Sequence, residues 1–140
     1  MGPLRADILD AELPPTVAAP SIARGLVRSA GSELSRRSLE DAQLLVSELV
    51  SNLLVAAIEP HPLHLRMQTH GSLSLAVEEL PLGTDVMNSA VRPGPIARTV
   101  TDPPSTFPWG CGLVAALADA WGVSARDGRT SAWAELRLHP

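Results

Sequence analysis

The sequence predicts an α+β fold, a two-layer sandwich in which a mixed, mainly antiparallel sheet is covered on one face by three helices. Three observations predict it. Residues 38–57 repeat apolar side chains at helical spacing. Alternating runs at 63–68 and 72–77, and again at 123–126 and 130–138, flank short turns containing glycine. The order along the chain is helix, helix, hairpin, long loop, helix, hairpin, so each hairpin has one apolar face that only the helices can cover.

Residues 1–12 read as a flexible arm or an edge strand, closed by Pro14-Pro15, and residues 13–140 as one domain. From Val17 the pattern becomes helical, with Ile22, Leu26 and Val27 on one side, Pro20 in the first turn and Gly31 at the end. The second helix is the clearest element. Ser38 reads as its N-cap, with Asp41 three residues on as in a capping box. Leu45, Val46, Leu49, Val50, Leu53, Leu54 and Ala57 form its apolar face, Glu48, Ser51 and Asn52 lie opposite, and Pro60 and Pro62 stop it.

Leu63, Leu65 and Met67 alternate with His64, Arg66 and Gln68. After His70-Gly71, Leu73, Leu75 and Val77 alternate with Ser72, Ser74 and Ala76. Periodicity then vanishes over about 80–109, where Pro81, Pro93, Pro95, Pro103, Pro104 and Pro108 break regular structure. A loop this long inside a compact domain reads as a lid over a ligand or as a disordered insertion. Gly110-Cys111-Gly112 opens a third helix, with Leu113, Ala116, Leu117 and Ala120 at i, i+3, i+4 and i+7 and Gly122 as its stop. The last hairpin turns at Asp127-Gly128.

Composition narrows the function classes. The net charge of −4 over 140 residues argues against a nucleic-acid footprint. No apolar run reaches the roughly 18 residues needed to span a bilayer, so a cytoplasmic protein without membrane contact is expected. A single cysteine, Cys111, excludes an internal disulfide framework and a multi-cysteine zinc site. All eleven basic residues are arginine and tyrosine is absent, a bias that fits a GC-rich bacterial genome. Any charge clamp must therefore use arginine.

Few residues stand out as carriers of chemistry. Glu48 and Asn52 are one turn apart and point the same way. A carboxylate can act as a general base and an Asn carbonyl can ligate Mg²⁺, yet both also belong to an ordinary wet helix face. Gly110 and Gly112 at a helix start suit a phosphate, or a plain turn into a helix. Glu78 and Glu79 end a strand, where a carboxylate can accept a hydrogen bond from an exocyclic amine or simply face solvent. Thr130 follows a hairpin tip. Cys111 at a helix start has a lowered thiol pKa on the reactive reading and is a small packing residue on the other. His61, His64, His70 and His139 show no metal-ligand spacing.

Taken in order, Glu48-Leu49-Val50-Ser51-Asn52 on a helix, a hairpin ending in an acid, a long loop, Gly110-Cys111-Gly112-Leu113 and Gly128-Arg129-Thr130 resemble the GHKL (Bergerat-fold) ATPase domain. The segments 41–52, 112–123 and 132–138 look most like the small bacterial anti-sigma-factor serine kinases of the RsbW and SpoIIAB type, and the likeness runs from about Leu13 to Leu138. The resemblance implies ATP and Mg²⁺ as cofactors. It implies Glu48 as the general base toward a serine hydroxyl, Asn52 as the Mg²⁺ ligand, and Glu79 in place of the family's adenine-binding Asp. It implies Gly110 and Gly112 against the phosphates and Thr130 near the adenine. The partners it implies are a sigma factor and a STAS-type antagonist of the anti-sigma factor, with homodimerisation as a further family trait.

Three features depart from the family pattern. Glu79 is one methylene longer than the Asp, and Leu80-Pro81 replace the glycine that follows it. Val55 and Ala56 stand where a basic residue and a His are usual. The loop offers only Arg92 and Arg98 as cations for phosphates. An interaction module of the same fold that has lost ATP is therefore the alternative expectation.

Overall fold

The structure, a computed structural model, describes residues 5–82, 94–98, 100 and 112–140. The elements follow in the order β1 (Ala6–Leu13), α1 (Ala19–Ala30), α2 (Arg36–Ala56), β2 (Leu63–Thr69), β3 (Ser72–Glu79), α3 (Gly112–Leu117), β4 (Ala120–Arg126) and β5 (Arg129–Arg137). The five strands form one sheet in the order β1-β2-β3-β5-β4, and all four pairings are antiparallel. The expected two-layer sandwich is observed, with no parallel pair among the described strands.

Strand alternation sends one row of each strand to the helices. Leu65, Val77 and Ala132 are register partners across β2, β3 and β5, as are Met67, Leu75 and Ala134. These rows are buried against Leu45, Val46, Leu49, Val50 and Leu53 of α2. Each large apolar side chain so buried contributes about 1.5–3 kcal/mol relative to exposure. In α1 the buried row is Ala19, Ala23 and Val27, whereas Ile22 is exposed, so the apolar stripe is rotated from the expected one. α1 packs on α2 and β1, and α3 packs on α2.

Two boundaries differ from the sequence reading. The N-cap of α2 is Ser35, not Ser38. Ser35 is extended (φ −60°, ψ 157°), and its hydroxyl oxygen accepts the Ser38 N–H at 3.2 Å. Ser38 lies inside the helix, and its buried hydroxyl accepts the His139 N–H at 2.9 Å. The third helix stops at Leu117, not at Gly122. The Asp119 N–H already bonds to the Glu135 carbonyl, and Ala120 to Arg126 form a strand. Gly122 is a strand residue against which Trp133 and Val100 pack, since a Cβ there would fall 2.6 Å from Trp133 Nε1 and from Val100 Cγ2.

The second row of β2 is also buried, which alternation alone does not require. His64, Arg66 and Gln68 are 4%, 9% and 4% exposed. Residues 94–98, here called the strap, cross this helix-free face of the sheet. Gln68 donates through Nε2 to the Gly94 carbonyl at 2.8 Å and accepts the Ile96 N–H at 2.8 Å. Arg66 donates to the same carbonyl at 2.5 Å. Further along, the Arg98 guanidinium stands 5.9 Å from the centre of the Trp133 ring and pairs with Glu135. Of the described loop residues, 94–98 thus lie on the side of the sheet opposite α2, whereas Leu80 stays beside His61 at the end of β3. The rest of the expected lid falls outside the described residues.

Candidate functional site

Glu48, Asn52 and Ala56 are spaced four apart on α2 and form one row along it. Glu48 and Asn52 are half-buried, and Ala56 is buried. Ala56 lines a cavity of about 330 Å³ whose other walls include Ala57, Ile58, His61, Glu79 and Thr130. An adjoining cavity of about 190 Å³ shares Ile58, His61 and Glu79 and reaches Leu63 and Pro15. Ala56, the last residue of this row, therefore borders a recess between the end of α2 and the β4–β5 hairpin.

Glu79 closes that recess. It is the register partner of Leu63, so it points to the helical side, and it is 5% exposed. Its Oε1 accepts the Thr130 N–H at 2.6 Å, and its Oε2 stands 4.0 Å from His61 Nε2. The Nδ1–H of His61 donates to the Leu80 carbonyl at 2.9 Å, which fixes the ring's orientation. Thr130 is buried. The structure thus joins Glu79 directly to Thr130, while Asn52 and Glu48 stand about one and two turns before Ala56 and are not among the residues lining the recess.

The glycine corner is less defined. Gly110 and Cys111 lie outside the described residues. Gly112 is the first residue of α3, and a Cβ there would meet nothing within 4 Å, so no close approach at this position demands glycine. α3 has six residues, less than two turns, and offers little aligned dipole for an anion. Of the two loop cations, Arg92 is outside the described residues and Arg98 is engaged by Glu135 and Trp133 on the far face of the sheet.

A second polar cluster sits on that far face. His64 donates from Nε2 to Asp10 Oδ1 at 2.6 Å and from Nδ1 to Glu78 Oε1 at 3.3 Å. Only the imidazolium has two N–H donors, so both contacts are made together by the protonated ring. The Glu78 carboxylate, and with it Asp10, outweigh the opposing effect of burial and raise the His64 pKa above the ordinary 6.5. Sequence reasoning placed His64 on a hairpin without partners. Asp10 lies 54 residues away and is delivered by β1, whose pairing with β2 no local pattern signals.

Among the described residues no group of three or more His, Cys, Asp or Glu is arranged to hold a metal ion on protein ligands alone. No described helix is long and apolar enough to cross a membrane.

No protein-family model matches the chain, and no curated protein matches its sequence. Among solved structures, it is similar to the RsbU and RsbW domains of Rv1364c from Mycobacterium tuberculosis, with 17% sequence identity and a TM-score of 0.62. The match covers 94% of this chain and 33% of that one, so this chain spans about a third of the length of its neighbour. At this identity the likeness establishes the fold, which is RsbW-like.

Proposed function

We propose that the chain is a regulatory protein that binds ATP with Mg²⁺ in the recess beside α2 and phosphorylates a serine of a partner protein, in the manner of anti-sigma-factor kinases. The observation that supports this reading is that Ala56, one turn beyond Asn52 on the same row of α2, lines a cavity walled by Glu79 and Thr130. The residues fit the group. Mg²⁺ takes oxygen donors, commonly one or two from protein and the rest from phosphates and water, and the Asn52 carbonyl is such a donor, with the Glu48 carboxylate one turn away left to act as the base. Ala56, Ala57, Ile58 and Ala125 give the cavity apolar walls suited to a planar base. Glu79 Oε2, the oxygen not used by Thr130, can accept from an amino group on that base.

ATP would supply the phosphoryl group, with Mg²⁺ offsetting its charge. Asn52 orients the Mg²⁺-bound phosphates, Glu79 and Thr130 seat the base, and Glu48 takes the proton from the attacking serine hydroxyl. The resemblance to the anti-sigma-factor kinases points to a STAS-type antagonist as the carrier of that serine and to a sigma factor as the second partner.

A second reading, an interaction module of the same fold without ATP, is favoured by two observations. One Glu79 oxygen is already committed to Thr130, and Arg98 is held on the opposite face of the sheet. Titration with ATP and Mg²⁺, followed by melting temperature, separates the two. A ligand at about 100 times its Kd adds about 2.7 kcal/mol, so a magnesium-dependent rise that Asn52→Ala removes supports the first reading. No rise at millimolar ATP supports the second. If ATP binds, Glu48→Ala retains it and loses phosphorylation of the partner serine.

A further inference from the structure

His61 lies between α2 and β2. Its side chain, 11% exposed, lines both cavities of the recess together with that of Glu79, 3% exposed. A carbonyl oxygen only accepts, so the His61 Nδ1 that meets the Leu80 carbonyl carries the hydrogen. In the neutral ring the other nitrogen, Nε2, is then an acceptor. Glu79 Oε2 is a second acceptor, because the Thr130 N–H uses only Oε1. The 4.0 Å between Nε2 and Oε2 exceeds hydrogen-bond length, so neither atom satisfies the other. Among the described residues no donor reaches Glu79 Oε2, and an acceptor this deeply buried is costly to leave without one.

We propose that His61 is a second base-contacting residue of the recess: its Nε2 and Glu79 Oε2 together accept the two N–H bonds of one exocyclic amino group, so the site takes adenine and discriminates against hypoxanthine. This role of His61 rests on the reading of the recess as a nucleotide site.

The spacing suits a planar amino group. A nitrogen about 3 Å from both acceptors bridges the 4.0 Å between them with N–H···acceptor angles of about 150–155°, which are still favourable. Hypoxanthine has an oxo group in that place and a single ring N–H, so at least one of the two acceptors is left facing lone pairs or without a donor. The backbone, not the ligand, sets the direction of the ring. The Leu80 N–H donates to the Pro62 carbonyl at 2.8 Å, which holds the Leu80 carbonyl against His61. Charge selects the end of the nucleotide that enters. Glu59 joins Glu79 in lining the recess, and no arginine lines either of its two cavities. An uncharged group that brings donors is accepted there, and a phosphate is repelled.

Calorimetric titration of the whole chain with ATP and with ITP, each with Mg²⁺ at pH 8, tests this. The expected result is ATP bound about 30-fold tighter than ITP. His61→Phe keeps a ring but removes both nitrogens, and is expected to lower that ratio about fivefold or more. His61→Gln brings an amide oxygen to the place of Nε2 and is expected to restore most of the ratio. In the wild type, the ¹⁵N resonance of His61 Nε2 is expected to move on addition of ATP and to stay in place with ITP, a readout that needs no variant to fold. ATP binding with the same ATP-to-ITP ratio in wild type and His61→Phe overturns the role of His61 and leaves the nucleotide reading intact, and so does an Nε2 resonance that ATP does not move. Binding of neither nucleotide overturns the nucleotide reading, and the role of His61 falls with it.

Discussion

The side chain of Glu79 and the main chain of Thr130 are joined by a hydrogen bond of 2.6 Å between the end of β3 and the start of β5. Both residues are buried, so the bond is shielded from competing water. It secures the hairpin tip that walls the recess and leaves the second Glu79 oxygen beside His61. Glu79→Ala strands the Thr130 N–H and is expected to cost about 1–3 kcal/mol. Glu79→Gln keeps a carbonyl acceptor and is expected to cost less. Urea midpoints at pH 7 decide it, and an alanine variant as stable as wild type would deny the bond a structural role.

Ser35 starts α2, although Ser38 is the residue its own spacing recommends. The Ser35 hydroxyl satisfies the Ser38 N–H, one of the orphan donors at a helix start. Ser35→Ala is expected to cost about 1 kcal/mol and Ser35→Gly only a few tenths, since glycine is tolerated at an N-cap and alanine is not. Equal losses for the two variants, read from thermal unfolding, would remove the cap assignment.

Gly122 allows Trp133 and Val100 to approach the β4 backbone. A Cβ at 2.6 Å from the Trp133 ring nitrogen forces a shift of a buried aromatic side chain. Gly122→Ala is expected to lose about 1–3 kcal/mol through overpacking. Adding Val100→Ala removes one of the two clashes and is expected to recover part of that loss. A neutral Gly122→Ala in chemical denaturation would show that the strap side of β4 can yield.

Legibility followed the range of the interactions concerned. The apolar face of α2, the hairpins turning at Gly71 and Gly128, and the inward rows of β2, β3 and β5 could all be read, because each depends on a local period meeting one core. The end of α3 could not, because Ala120 and Gly122 suit a helix end as well as a strand start, and pairing with β5 decides between them. The burial of His64, Arg66 and Gln68 was invisible because it depends on the strap, 26 to 28 residues from Arg66 and Gln68, and on Asp10 in β1. At the candidate site, the common face of Glu48 and Asn52 could be read from their spacing. The bond from Glu79 to Thr130 spans 51 residues and required the strand order.

The His64 cluster sets a pH dependence of stability whose sign is determined. Glu78 and Asp10 raise the folded-state pKa of His64 above the 6.5 of the unfolded chain. The folded state therefore binds the proton more tightly, and the resulting stability is fully present below pH 6.5. It declines as pH rises from 6.5 and is gone once pH has passed the folded-state value. His64→Gln lacks this contribution. The difference in urea midpoint between wild type and His64→Gln should be largest near pH 5.5 to 6, where the carboxylates remain ionised, and should shrink steadily toward pH 9. A difference that grows with pH would mean that His64 is held as the neutral ring, with one nitrogen's lone pair turned toward a carboxylate.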